Sequence, residues 1–444
     1  MPPITADSIP SRSRAAARTA LLRMSNAGLG LAASIAISRS LHPTGRGVYA
    51  IAATVGAIAA ILGGAALPRA LQSAWGREHQ PALLGRAAVL AGLVGGSIAA
   101  VAVASLAVTW QALTPHGMAI IWLAVAGVPT LVASTHLTVA YGLHGRPDRA
   151  AKAAIVSGGM QSVLLLWGAW AEMLTPTRVI GITTASLVIM LPAHLALRPW
   201  ARDAGERVAT TTAAVAGLLV RQGLRYQQAG IAAHLLLRAD LIVLAALGTN
   251  AQVGHYSLAL AFTEAILILT SSITQAGSGA QVTGAREGES VDAYTARLAR
   301  TALAVALTVA AAVGATAWLI IPLLFGAAFA PAVAPLLLLL PGVCALAATP
   351  PLELAASRHD VPGVSALAST TALVTMLSLD LILIPWQGMR GAAIAASVGY
   401  LTQCLIYLRW FLRRSEQPVA LFIPRAQDVW VPLKSILPLH PRRS

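Results

Sequence analysis

Apolar residues recur along the chain in runs of about 20, the length a helix needs to cross roughly 30 Å of hydrocarbon. The runs fall at 17–38, 47–67, 84–108, 118–141, 153–173, 179–197, 226–247, 253–275, 302–324, 332–348, 363–384 and 392–411, with short gaps between them. They are rich in Ala, Leu and Val and show no alternation of apolar and polar positions, so they predict helices and not the strands of a barrel. Pro129 and Pro192 lie inside two of the runs and predict kinks. The pattern is that of an all-α polytopic membrane protein with about twelve transmembrane helices.

The pattern also repeats. GRGVYAIAATVGAIAAILGG from Gly45 aligns with QVGHYSLALAFTEAILILTS from Gln252, matching Gly47 with Gly254, Tyr49 with Tyr256 and Ala52 with Ala259. GRPDRAAKAAIVSGG from Gly145 aligns with SRHDVPGVSALASTT from Ser357, placing Arg146 and Asp148 opposite Arg358 and Asp360. The offsets, 207 and 212 residues, nearly agree. The expected organisation is two six-helix bundles related by an internal repeat: an N-terminal half (1–198), a linker (199–225), a C-terminal half (226–412) and a tail (413–444). Two such halves with a cleft between them form a transporter plan. The tail, with its Pro, Trp and basic residues, suits either a membrane surface or disorder.

Composition agrees with the pattern. Of 444 residues, 57% are hydrophobic and 11% charged, and the mean hydropathy is +0.72. A net charge of +15 raises the question of nucleic acid, which the arrangement of the charges answers. Counted over alternate loops, 26 of the 31 Lys and Arg residues lie on one side; Arg39, Arg46, Arg178 and Arg390 lie on the other, and Arg238 is inside a run. That asymmetry orients a membrane protein with both termini cytoplasmic, in the cytoplasmic membrane, and predicts no nucleic-acid partner. The N-terminal MPPITADSIPSRSRAAARTA lacks the order of a secretory signal, so the first run reads as an uncleaved span. Cys344 and Cys404 both lie within runs and suggest neither a disulfide framework nor a metal site. The chain contains no P-loop, HExxH, GxSxG or CxxC motif, which disfavours an ATP-driven pump or a recognisable hydrolase. No catalytic residue, metal or cofactor is expected.

Charges inside the runs are the candidates for function, because each costs about 2.5–3.5 kcal/mol at mid-bilayer unless it has partners or water. Arg238, Asp240, Glu264 and Asp380 need such partners. Arg238 and Asp240 are two residues apart, roughly 200° around a helix, so each should answer to a different neighbour. Gln227, His234 and Arg238 share a stripe on the seventh run; Ser257, Glu264, Ser271 and Gln275 share one on the eighth, and both stripes suit a cavity wall. Arg23 and Asn26 on the first run, followed by Gly28 and Gly30, bring charge and close packing near its cytoplasmic mouth. Arginine suits a phosphate or diphosphate, with a planar fork that stays charged. The substrate-binding candidates are therefore Arg23, Asn26, Gln227, His234 and Arg238; Asp240, Glu264 and Asp380 are candidates for gating or for coupling to H+ or Na+. Structural readings stand beside these: pairing between helices for Arg238, Asp240 and Glu264, interface anchoring for Asp380 near Trp386, snorkelling for Arg23 and a satisfied interior position for His234.

The stretches ISRSLHPTGRGVYAIA from Ile37 and RADLIVLAALGTNAQVGHYSLA from Arg238 resemble the junctions between spans one and two and spans seven and eight of Wzx-type oligosaccharide-lipid flippases, in the multidrug/oligosaccharidyl-lipid/polysaccharide exporter (MOP) superfamily. The likeness runs from the first span to Phe411 and touches Arg39, Gly47, Tyr49, Arg238, Asp240, Gly254 and Tyr256. It departs at His42, where the family junction commonly carries glycine, and in the scarcity of charge within the first six spans. The resemblance implies a flippase that moves an anionic polyprenyl-diphosphate glycan to the outer leaflet by rocking its two bundles, with membrane lipids, a glycan polymerase and glycosyltransferases as partners. A drug or cation antiporter of the same superfamily, a membrane-embedded polymerase or glycosyltransferase, and a non-transporting scaffold remain as alternatives.

Overall fold

The computed structural model describes residues 9–64, 67–75, 81–110, 117–143, 147–197, 211–283, 290–359, 361–415, 417–425 and 428, and among these the regular structure is entirely helical. The chain divides into two compact units, Met1–Ile231 and Ala232–Ser444. Residues 199–210 of the expected linker lie outside the description, and its remainder is helical.

The first unit is built from α1 (Ile9–Gly63), α2 (Leu67–Trp75), α3 (Pro81–Val108), α4 (Met118–Ala126), α5 (Val128–Leu143), α6 (Pro147–Trp170), α7 (Pro176–Ala196) and most of α8 (Thr212–Leu235). Two predicted spans are joined in α1, which bends at His42 (φ 54°, ψ 176°) just before Pro43. Those dihedrals belong to a region essentially reserved for glycine. On either side of the bend, buried Arg46 donates to Ser38 Oγ and, at 3.4 Å, to the Ser34 carbonyl, which ties the two arms together. The kink expected at Pro129 takes the form of a break between α4 and α5 at Gly127, whereas α7 runs on through Pro192. Packing of α3 needs its small residues: a Cβ on Gly92 or Gly96 would lie 2.7 Å from the Cα of Ala133 or Pro129. Leu67, Leu71, Leu84, Leu137 and Tyr141 form the buried core below this contact.

The second unit continues with α9 (Ala239–Leu247), α10 (Asn250–Thr283), α11 (Val291–Phe325), a 3₁₀ turn (Ala327–Ala332), α12 (Val333–Ala347), α13 (Thr349–Arg358), α14 (Pro362–Gln387) and α15 (Met389–Ser415). Ser290 caps α11 by accepting from the Ala293 amide at 3.1 Å. α15 packs against α12 and α14, and a Cβ on Gly342 of α12 would meet the Ser397 backbone at 2.5 Å. The repeat offset of 207 maps His42 onto Thr249, and α10 starts one residue later, so bend and turn occupy equivalent positions.

All twelve apolar runs are helical. The bent α1 holds two; α4–α5 and α8–α9 each hold one in two pieces; α3, α6, α7, α10, α11, α12, α14 and α15 hold one each. Ten helical stretches among the described residues are long and apolar enough to cross a membrane.

The described part of the tail folds back on the second unit as a strap. Its 3₁₀ turn (Val419–Phe422) sets Phe422 edge-on to Phe411, with ring centroids 5.9 Å apart. Asp428 then closes a buried two-point pair with Arg300 of α11, at 2.8 Å to Nε and 2.9 Å to Nη2. Arg300 also donates to the Leu421 carbonyl at 3.3 Å.

Candidate functional site

The sequence pattern predicts one helix over 226–247, but the structure breaks it. α8 ends at Leu235, the amides of Leu237 and Arg238 fold back to carbonyls three residues earlier, and α9 restarts at Ala239. Arg238 sits at the N-cap of α9 in a non-helical conformation (φ −140°, ψ −22°). The stripe from Gln227 through His234 to Arg238 therefore does not continue through the break. A broken helix in the middle of an apolar run offers backbone polar groups and a positive helix end where an unbroken helix would offer neither.

Arg238 and Asp240, on either side of this start, turn to different partners. Arg238 Nη1 reaches Glu264 Oε1 of α10 at 2.8 Å, in a pair whose side chains are 34% and 43% exposed. Asp240 is fully buried: its Oδ2 accepts from the Tyr256 hydroxyl and its Oδ1 from the Leu241 amide at 2.7 Å. The Arg238–Glu264 pair forms one wall of a cavity of about 330 Å³, which Thr263, Leu267, Ser271 and Tyr400 help to line. The surface thus presents an exposed ion pair backed by a buried carboxylate.

Asp380 of α14 lies behind this face, within electrostatic reach of Asp240. It is 0% exposed, and neither of its oxygens has a hydrogen-bond partner among the described residues. It is thus interior, although its proximity to Trp386 suggests an interface position. A second, more open cavity of about 720 Å³ lies where the α9–α10 and α14–α15 turns meet, lined by Gln252, Trp386, Gln387 and Arg390.

The remaining candidates are elsewhere. Gln227 is a buried residue of the first unit, donating to the Ile61 carbonyl at 3.2 Å, and His234 is exposed on the last turn of α8. Arg23 and Asn26 fall on α1, but their side chains lie outside the described residues. The structure therefore brings together Arg238, Asp240, Glu264 and Asp380, and adds two residues that the charge pattern does not flag: Tyr256, noticeable only as a repeat position, and Tyr400, one of four aromatic residues on α15. Among the described residues, no group of three or more His, Cys, Asp and Glu side chains is placed to hold a metal ion.

No protein-family model matches the chain, and no curated protein sequence does. Solved structures do. A structure of the lipid II flippase MurJ in an inward-closed conformation superposes with a TM-score of 0.70 at 11% identity, covering 94% of this chain and 91% of that one. A MATE structure in the bent conformation gives a TM-score of 0.58 at 16% identity, covering 92% and 98%. A MOP superfamily transporter from Pyrococcus furiosus, described as having a binding pocket of reversed polarity, gives 0.55 at 15%, covering 90% and 94%. At these identities the fold is what is shared: the chain has the fold of MurJ and of the MATE and other MOP superfamily transporters, over nearly its whole length.

Proposed function

We propose that the chain is a flippase for an anionic lipid-linked oligosaccharide, moving a polyprenyl-diphosphate glycan across the cytoplasmic membrane by alternating access. The observation that carries this reading is Arg238, held at a helix break on the wall of a 330 Å³ cavity. A guanidinium in an apolar setting is expensive unless it meets an anion, and its fork matches the paired oxygens of a phosphate. The start of α9 adds the positive end of a helix beside it. Support from the fold comes through the lipid II flippase MurJ.

In this reading Arg238 holds the diphosphate. Buried Asp240 and Asp380 take the coupling H+ or Na+, and Glu264 gates Arg238. The excess of basic residues on one side puts both termini in the cytoplasm, where enzymes that assemble the glycan would deliver the substrate; a polymerase would take it on the outer side.

A second reading, a drug or cation antiporter, draws on the same buried pair of carboxylates and on the MATE structures that share the fold. Complementation separates the two. In a flippase-deficient strain matched to the native glycan, wild type restores surface glycan, while Arg238→Ala at equal membrane levels does not and lipid-linked precursor accumulates. Undiminished export by Arg238→Ala, with drug resistance that depends on Asp240, would favour the antiporter.

A further inference from the structure

Among the described residues, three carboxylates lie around the start of α9, and of these Glu264 lines the cavity. Asp240 is held by Tyr256 and the Leu241 amide, and Asp380 is enclosed; both are 0% exposed. Glu264 stands 43% exposed at the cavity, paired with an Arg238 that is itself 34% exposed. Both side chains face the cavity, so an anion entering it meets the pair directly. Glu264 is therefore the carboxylate with which an anion in the cavity would compete for Arg238.

We propose that Glu264 is a built-in stand-in for the substrate's phosphate: it occupies Arg238 while the cavity is empty, is displaced by a prenyl diphosphate, and returns to expel the bound anion. This rests on the reading of Arg238 as the diphosphate ligand. The exchange is physically balanced. An empty carrier needs a counter-ion to keep Arg238 charged in an apolar wall. A diphosphate carries more charge than a carboxylate and offers paired oxygens to the same fork, so it wins when present. Once there, it lies beside Glu264 as a like charge, which shortens its stay. The carboxylate lowers affinity for the cargo and speeds its release.

The test uses the full-length protein in lipid nanodiscs, with farnesyl diphosphate and inorganic pyrophosphate as probes. Glu264→Gln should bind farnesyl diphosphate about three- to ten-fold more tightly than wild type, through slower dissociation. Arg238→Ala should abolish binding, and the double variant should behave as Arg238→Ala, since the gain passes through the arginine. Glu264→Asp, which keeps the competing charge, should stay near wild type, separating displacement from altered folding. A gain for farnesyl diphosphate alone identifies a prenyl-linked ligand; an equal gain for pyrophosphate supports displacement by any diphosphate. Unchanged or weaker binding by Glu264→Gln, with binding still dependent on Arg238, overturns the stand-in and leaves the flippase reading intact. Binding that survives Arg238→Ala, or no binding by any form, overturns both.

Discussion

The Tyr256 hydroxyl donates to the Asp240 carboxylate inside the second unit, and both residues are fully buried. The bond joins α9 to α10, so it holds the helix restart against its neighbour and keeps Arg238 at the cavity. Tyr256→Phe removes the donor without changing the ring. It should cost about 1.5–3 kcal/mol, the range for a hydrogen bond to an ionised partner, read as a lower unfolding midpoint in detergent.

Arg238→Lys keeps the charge and loses the fork. If the arginine holds a diphosphate, export in the complementation assay should fall about ten-fold, because a single ammonium cannot reproduce two parallel hydrogen bonds. Full activity of the lysine variant would show that charge alone suffices there.

His42 occupies a backbone conformation that favours glycine. His42→Gly should stabilise the first unit by about 1 kcal/mol by relieving that strain, partly offset by the freedom glycine gains when unfolded. A higher melting temperature than wild type checks it.

Asp428→Ala leaves Arg300 buried without its counter-ion. The docked strap should lose about 3–5 kcal/mol, the cost of an uncompensated interior charge. Limited trypsin digestion reads this directly, since Arg425 should then be cut faster than in wild type. Removing both charges with Arg300→Met/Asp428→Leu should restore much of the protection.

His359 lies between α13 and α14, where burial, and then the Arg414 and Arg358 cations beside it, push its imidazole below the usual range; Asp292 opposes them weakly. The folded state thus resists the proton that the unfolded chain accepts near pH 6.5. Stability from this position is complete above about pH 6.5 and declines as pH falls through it. Melting temperature followed from pH 8 to 5 should show a slope that His359→Gln flattens.

The spans were legible because their signal is additive: twenty apolar residues in succession outweigh any single exception. The break in α8–α9 was not, because LLLRAD contains neither Gly nor Pro. What ends the helix there is the burial of Asp240 against a tyrosine 16 residues later, a tertiary effect that no local propensity encodes. Arg238 and Asp240 do turn to different partners, though the spacing argument assumes a continuous helix and the break at Arg238 removes that premise; the stripe through Glu264 marks a cavity wall but not the pairing with Arg238. Asp380 misleads because distance from the end of a span says nothing about which way a side chain points, and α14 turns it inward. Tyr400 carries no signal of its own, as one of several aromatic residues in an apolar helix.

The strap also sets a clock on assembly. Arg300 enters the growing chain 128 residues before the carboxylate that will neutralise it. At about 5–20 residues per second, the arginine waits roughly 6–25 s, while α12, α13, α14 and α15 are still being made. Throughout that interval Arg300 is without the carboxylate that neutralises it in the folded unit, and the strap can dock only after Asp428 is made. The docked strap is thus among the last contacts of the second unit to form during synthesis.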